Sequence, residues 1–359
     1  MTEKDAPVKD VPVEETEQLL TVNDLSVSFD TEKGSVRALF GVSFSMVPGE
    51  TVGLVGESGC GKTITALSVL RLLASPPAKM DGGRILFKGR DLLALPENQM
   101  CEVRGQEISM IFQEPMTSMN PVLTIGEQVA EVFTAHNICG KKEAAERAVE
   151  WLRKTQMPDP ARRAKEYPHQ MSGGMRQRAM IAMALALSPS LLIADEPTTA
   201  LDVTIQAQIM ELLREMRERE RMAVLLITHD LGVVHDFADR TAIMYLGRIV
   251  EIAPTRKLFA GPIHPYTQGL LASLPGASHG DGLLPSIPGT VPDLANVPPG
   301  CPFSPRCQHR QEALKRFLSG NTSTDELRDC DREDPSLFEF SPGHLAACHY
   351  RRRVPGEDQ

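Results

Sequence analysis

The octapeptide Gly56-Glu-Ser-Gly-Cys-Gly-Lys-Thr63 leaves this chain few folds to adopt. It follows the apolar run Thr51-Val-Gly-Leu-Val55 and precedes Ile64–Leu73, whose spacing predicts a helix. Strand, glycine-rich turn and helix in that order are the frame of a phosphate-binding P-loop. Gly56, Gly59 and Gly61 let the backbone turn its N–H groups onto phosphate oxygens, with Glu57, Ser58 and Cys60 between them. Lys62 can reach β- and γ-phosphates, and the Thr63 hydroxyl suits Mg²⁺. The stretch predicts an α/β P-loop NTPase that binds a nucleoside triphosphate.

At 359 residues the chain has room for two domains, or for one large domain with an appendage. With 42% hydrophobic and 24% charged residues it reads as a soluble globular protein. The formal charge of −9 argues against a nucleic-acid partner, which needs a basic face. No apolar run approaches the ~20 residues needed to cross a bilayer. Met1–Asp10 lacks the apolar core of a signal peptide, so the expectation is a cytosolic chain without structural disulfides. Any membrane role then comes through partners. Residues 1–18, acidic and aperiodic, read as a disordered tail.

Alternation predicts strands at Leu25–Phe29 and Gly41–Val47, and a further strand is expected at Arg84–Lys88. The span from 97 to 185 is richer in helical spacing, notably Thr124–Phe133 and Lys141–Leu152. Strands return at Leu191–Ala194, Ala223–Thr228 and Thr241–Tyr245; the first two are short uninterrupted apolar runs, as in buried parallel sheets. Beyond residue 256 the text turns rich in proline and glycine.

The run Leu191-Leu-Ile-Ala-Asp195-Glu196 ends in two carboxylates. Behind a P-loop, Asp195 is placed to hold Mg²⁺ and Glu196 to polarise an attacking water. Ahead of it, Met171-Ser-Gly-Gly-Met-Arg-Gln-Arg178 opens a helix over Ala179–Leu187. That turn is either a second anion site or a plain helix cap at Ser172.

The P-loop, Met171–Met175, Asp195-Glu196 and His229 occur in the order of an ABC-transporter nucleotide-binding domain, which the chain resembles. The resemblance implies a RecA-like core with an antiparallel β-subdomain and an inserted helical subdomain. It implies that Ser172, Gly173 and Gly174 bind the γ-phosphate of ATP held by the opposite subunit, so that ATP-driven dimer closure drives transport. Gln113 looks like the Q-loop glutamine near Mg²⁺, Asp202 resembles the D-loop aspartate, and His229 looks like the switch histidine. Phe29 is either the aromatic that stacks on adenine or a core phenylalanine, with the insertion-like Asp30–Ser35 beside it. Two positions depart from the usual pattern: Met175 stands where glutamine is common, and Thr199 where serine is.

Four of the seven cysteines, Cys301, Cys307, Cys330 and Cys348, follow a C-x5-C-x22-C-x17-C pattern without paired C-x2-C spacing. They are either a metal staple for a segment with little core or unrelated free thiols. Gly300–Cys307, His344–His349, Gly261–Leu270 and Ile287–Thr290 resemble the C-terminal region of oligopeptide- and dipeptide-importer ATPases, and the resemblance runs from residue 20 to residue 350. It implies a [4Fe–4S] cluster on the four cysteines, or Zn²⁺ recruiting His309, His344 or His349. It further implies a cassette over 19–255 with its helical subdomain at 97–185, and an extension over 256–359. The partners implied are a second, different ATPase chain, two permeases and an extracytoplasmic substrate-binding protein, with this chain peripheral on the cytoplasmic face of the membrane. The residues from Gln113 through the helix at 124–133 would face the permeases. Soluble ABC proteins of translation or DNA repair are the rival class, but they carry two modules or a long coiled-coil insertion, and neither occurs here.

Overall fold

The computed structural model describes residues 18–114, 118–199, 201–274, 286–318 and 325–353. All but the last residue of the expected disordered tail lies outside them, as does Ala200 of the D-loop stretch.

Two sheets organise the chain. Strands β1 (Leu20–Thr31), β2 (Gly34–Met46), β4 (Ala78–Phe87) and β5 (Arg90–Asp91) form an antiparallel sheet in the order β2-β1-β4-β5. The stretch Asp30–Ser35 is the hairpin joining β1 to β2, with Asp30 paired to Ser35 and Thr31 to Gly34.

The larger sheet has eight strands in the order β11-β12-β10-β9-β3-β8-β7-β6. Its parallel half comprises β3 (Thr51–Val55), β6 (Ile108–Ile111), β7 (Leu191–Asp195), β8 (Ala223–Thr228) and β9 (Arg240–Tyr245). These runs are mostly apolar and buried because both faces are covered. Along β7, Leu191 and Ile193 face the core shared with the antiparallel sheet. Leu192 and Ala194 face the second core, which includes the helical layer.

That layer contains α3 (Ile125–Ala135), α4 (Lys141–Lys154) and α6 (Gly173–Leu185), with the single turn α5 (Pro160–Arg163) between the last two. Helix α4 buries Ala144, Ala148, Trp151 and Leu152, one stripe at helical spacing. Helix α2 (Glu97–Gln106) belongs instead to the other core through Met100 and Val103, and the span expected to be helical also contains strand β6.

Strand β10 (Arg248–Pro254) turns back antiparallel on β9. The C-terminal residues then extend the sheet: β12 (His344–Ala346) pairs with Glu251 and Ile252 of β10, and β11 (Phe338–Ser341) pairs with β12. The proline-rich text therefore joins the main sheet through backbone pairing, which its low apolar content gave no reason to expect.

Candidate active site

Register puts the chemistry on one edge. Val55 is opposite Thr228, Ile227 is opposite Asp195, and Ala194 is opposite Ile111. The residues that follow these parallel strands, namely the P-loop, His229, Glu196 and Gln113, therefore leave the sheet on the same side. This is where open α/β sheets place their ligands.

The P-loop connects β3 to helix α1 (Lys62–Val69). Its compactness is enforced at Gly56, where a Cβ would lie 2.2 Å from the Met244 carbonyl oxygen, and at Gly61, whose φ is 107°. The Lys62 ammonium is buried and donates to the carbonyls of Gly56 (2.8 Å) and Glu57 (3.1 Å). Ser58, Gly59 and Thr63 are exposed. Cys60 is buried inside the loop, and burial pushes its thiol up against the lowering influence of Lys62. It is a packing residue of the loop.

Glu196 is the hub of the edge. Its carboxylate accepts from Gln113 Nε2 at 3.0 Å and Thr199 Oγ1 at 2.7 Å, and lies 3.2 Å from His229 Nδ1. The residue sits in the left-handed region with φ of 46°, an unfavourable conformation for a glutamate that functional sites tend to hold. Burial raises its carboxyl, but the hydrogen bonds from Thr199 and His229 and the charges of His229 and Lys62 outweigh that and hold it below the usual range. Asp195 goes the other way. Burial and then the Glu196 charge raise it, against the Thr63 hydrogen bond and the Lys62 charge. Its Oδ1 is buried without a hydrogen-bond partner among the described residues. An unpartnered carboxylate oxygen beside Thr63 fits a divalent cation. His229 is 64% exposed against 14% for Glu196, so it covers the carboxylate from the solvent side.

Other residues singled out from the sequence lie outside this cluster. Ser172 caps α6 and accepts from Met175 N–H at 3.4 Å, with Gly173 and Gly174 forming the first turn. A Cβ on Gly174 would come within 2.8 Å of Ile205 Cγ2. Asp202 caps α7 (Val203–Glu220) by accepting from Ile205 N–H at 3.0 Å, beside an 83% exposed Val203. Phe29 is half-buried in β1 between Val36 and Ala78, against the core under the antiparallel sheet.

The comparisons with known proteins fit this geometry. The ABC transporter family profile matches residues 27–199, and that of the oligopeptide/dipeptide transporter C-terminal region matches residues 250–313. The oligopeptide transport ATP-binding protein AppD of Bacillus subtilis is 53% identical over 92% of this chain and 96% of its own. The chain belongs to the ABC-transporter family of ATP-binding proteins. The dipeptide transport ATP-binding protein DppD of the same organism is 51% identical over 85% of this chain and 91% of its own. A solved ATP-binding cassette, dimeric in a post-hydrolysis state with ADP and phosphate, superposes with a TM-score of 0.60 at 27% identity, covering 66% of this chain and 99% of that one. This ABC protein is accordingly an ATPase that uses ATP with Mg²⁺, and the family implies membrane permease partners. No helix among the described residues is long and apolar enough to cross a membrane.

The iron–sulfur expectation is overturned. Among the described residues, which include all four cysteines, no group of three or more His, Cys, Asp or Glu side chains could hold a metal ion. Cys301, Cys307, Cys330 and Cys348 do line one cavity with Phe303 and Ala313, but its volume is only about 30 Å³. Burial pushes the Cys301 and Cys307 thiols up, that of Cys330 to about 12 and that of Cys348 to about 11. All four cysteines are wall residues of that cavity. The zinc alternative fails as well. His344 Nε2 is 2.7 Å from Glu251, His349 Nε2 donates to the Glu333 carbonyl at 2.9 Å, and His309 stacks on Tyr350.

Sequence reasoning missed two residues beside the P-loop. The Arg306 guanidinium grips the Glu57 carboxylate at 2.7 and 3.1 Å, and the Tyr266 hydroxyl accepts from Glu57 N–H at 3.0 Å. Both lie in stretches that carried the family resemblance, and no chemistry in their spacing pointed to the P-loop.

Proposed function

We propose that this chain is the ATP-hydrolysing subunit of an importer for dipeptides or oligopeptides, the class named for its relatives. The observation that carries the reading is the convergence of Gln113, Thr199 and His229 on Glu196, on the edge shared with the P-loop. Gly56–Thr63 binds the triphosphate through backbone N–H groups, and Lys62 neutralises its β- and γ-oxygens. Thr63, Asp195 and Gln113 hold Mg²⁺, which supplies charge neutralisation at the phosphates when bound. Glu196 takes a proton from the attacking water, and Thr199 fixes its orientation. His229 contacts the γ-phosphate and steadies Glu196 from the solvent side. The role of Phe29 in stacking adenine rests on the resemblance alone.

Residues 19–255 make up the cassette in this reading, and 256–359 the extension. Ser172, Gly173 and Gly174 act on ATP held by a second, similar ATPase chain, and Asp202 communicates across that dimer. The exposed Val203 beside Asp202 supports a covered face there. The permeases dock near Phe112 and Val122, exposed apolar residues between β6 and α3. Next to them is a groove of about 350 Å³ lined by Phe112, Gln128, Val132 and Met183. In this reading the chain sits peripherally on the cytoplasmic face, with a substrate-binding protein on the far side.

The test is reconstitution in proteoliposomes of the complex that purifies with this chain from solubilised membranes. ATP-dependent uptake of labelled peptides is expected, and Glu196→Gln should abolish it. Uptake at the wild-type rate in that variant, or purification without any membrane subunit, contradicts the proposal.

A further inference from the structure

Arg306 lies far from the P-loop in sequence and against it in space. The side chain is 5% exposed, and each of its three nitrogens has an assigned acceptor. Nη1 and Nη2 donate to the two oxygens of Glu57 at 2.7 and 3.1 Å, and Nε donates to the Pro288 carbonyl at 3.0 Å. Two parallel N–H···O bonds between a planar guanidinium and a carboxylate fix distance and orientation together.

Glu57 passes that constraint to the ligand-binding backbone. Its N–H donates to Tyr266, its carboxylate binds Arg306, and its carbonyl accepts from the Lys62 ammonium at 3.1 Å and from Cys60 N–H at 3.3 Å. The second residue of the P-loop is therefore held on three sides, and one of its partners is the lysine that meets the phosphates. A glycine-rich loop loses much conformational freedom when it closes on a ligand, and an external brace lowers that cost.

The brace is itself anchored. Tyr266 is fully buried, and its ring packs 4.7 Å from that of Tyr245 and 5.4 Å from that of Phe303. Glu251, fully buried in β10, accepts from Ile263 N–H (2.8 Å) and His264 N–H (2.9 Å), and lies 2.7 Å from His344 Nε2. Two separate segments of the C-terminal region are thereby tied to β10 of the main sheet.

We propose that Arg306 is a positioning residue for ATP binding: through Glu57 it holds the P-loop in its phosphate-receiving shape, so nucleotide affinity depends on the docked C-terminal region. Arg306 also neutralises a carboxylate in the loop that must receive an anion. The inference rests on the ATPase reading. Its loss affects the ground-state complex more than the chemical step, because Glu196 and its partners are untouched.

The experiment measures Mg-ATP affinity by titration with a fluorescent ATP analogue, and KM and kcat for hydrolysis, on the full chain. Arg306→Gln should weaken affinity about tenfold, a coupling typical of contacting charged pairs, and raise KM more than it lowers kcat. Arg306→Lys should recover part of the loss, keeping charge without the bidentate geometry. Glu57→Gln should weaken binding to a similar degree, and the double variant should fall no further than either single one. If Arg306→Gln does not fold, the more exposed Glu57→Gln alone decides, since unchanged affinity there overturns the inference. Wild-type affinity in a folded Arg306→Gln chain, or additive losses in the double variant, overturn it while leaving the ATPase reading intact. A wild-type chain that binds no Mg-ATP defeats both.

Discussion

The strand edge around Glu196 and the cysteine-lined cavity were both suggested by spaced, chemistry-bearing residues, and they came out differently. At the edge, motifs far apart in sequence converge because each follows a parallel strand whose register is set by neighbours. In the C-terminal region the four cysteines also share a cavity, but it is small, and among the described residues no group of three or more ligating side chains could hold a metal ion. What sets the edge apart is that charge and hydrogen bonds converge there as well. Glu196 has three polar side chains aimed at it. The side chain of the extension that does meet this condition is Arg306, one residue before Cys307.

Each region can be stressed separately. Acid should weaken the extension's docking most. Burial holds His264 down at about 4, from 6.5, in spite of the nearby Glu251 charge. Below pH 6.5 the unfolded chain takes up a proton that the native chain refuses, so stability is lost as pH falls from 6.5 toward 4. Between pH 7 and pH 5 the loss is about 2 kcal/mol, readable by denaturant titration. His264→Asn, which keeps an acceptor for the cap on Tyr266 N–H, should flatten that slope.

The edge should respond to Thr199→Val. Removing a hydrogen bond to an ionised carboxylate forfeits about 1.5 kcal/mol, so kcat should drop about tenfold while ATP affinity holds. A KM effect with unchanged kcat would detach Thr199 from the chemistry. The smallest effect is expected from chelation. A structural metal contributes on the order of 10 kcal/mol to folding, so a metal-held extension would collapse in chelator. The unfolding midpoint should instead stay where it is.

Legibility followed burial. Leu191–Ala194 and Ala223–Thr228 are plain in the sequence because continuous apolar runs have few alternatives to a covered strand. The first half of β4 was missed because residues 79–84 are exposed and show no apolar alternation, and only pairing with β1 makes them strand. Strand β12 is three residues long and exists through its pairing with β10 and β11. The P-loop glycines, Lys62, Asp195 and Glu196 were legible since their chemistry is local to a strand end. The grip of Arg306 on Glu57 spans 249 residues and depends on how the extension docks, which no local pattern encodes.

The central claim is that Glu196 is the base of an ATP-hydrolysing edge, and it is tested most directly by Glu196→Gln assayed for phosphate release and ATP binding on the same preparation. We expect turnover to fall by a factor on the order of 10² to 10⁴ with ATP still bound. Phosphate release at the wild-type rate would contradict the account.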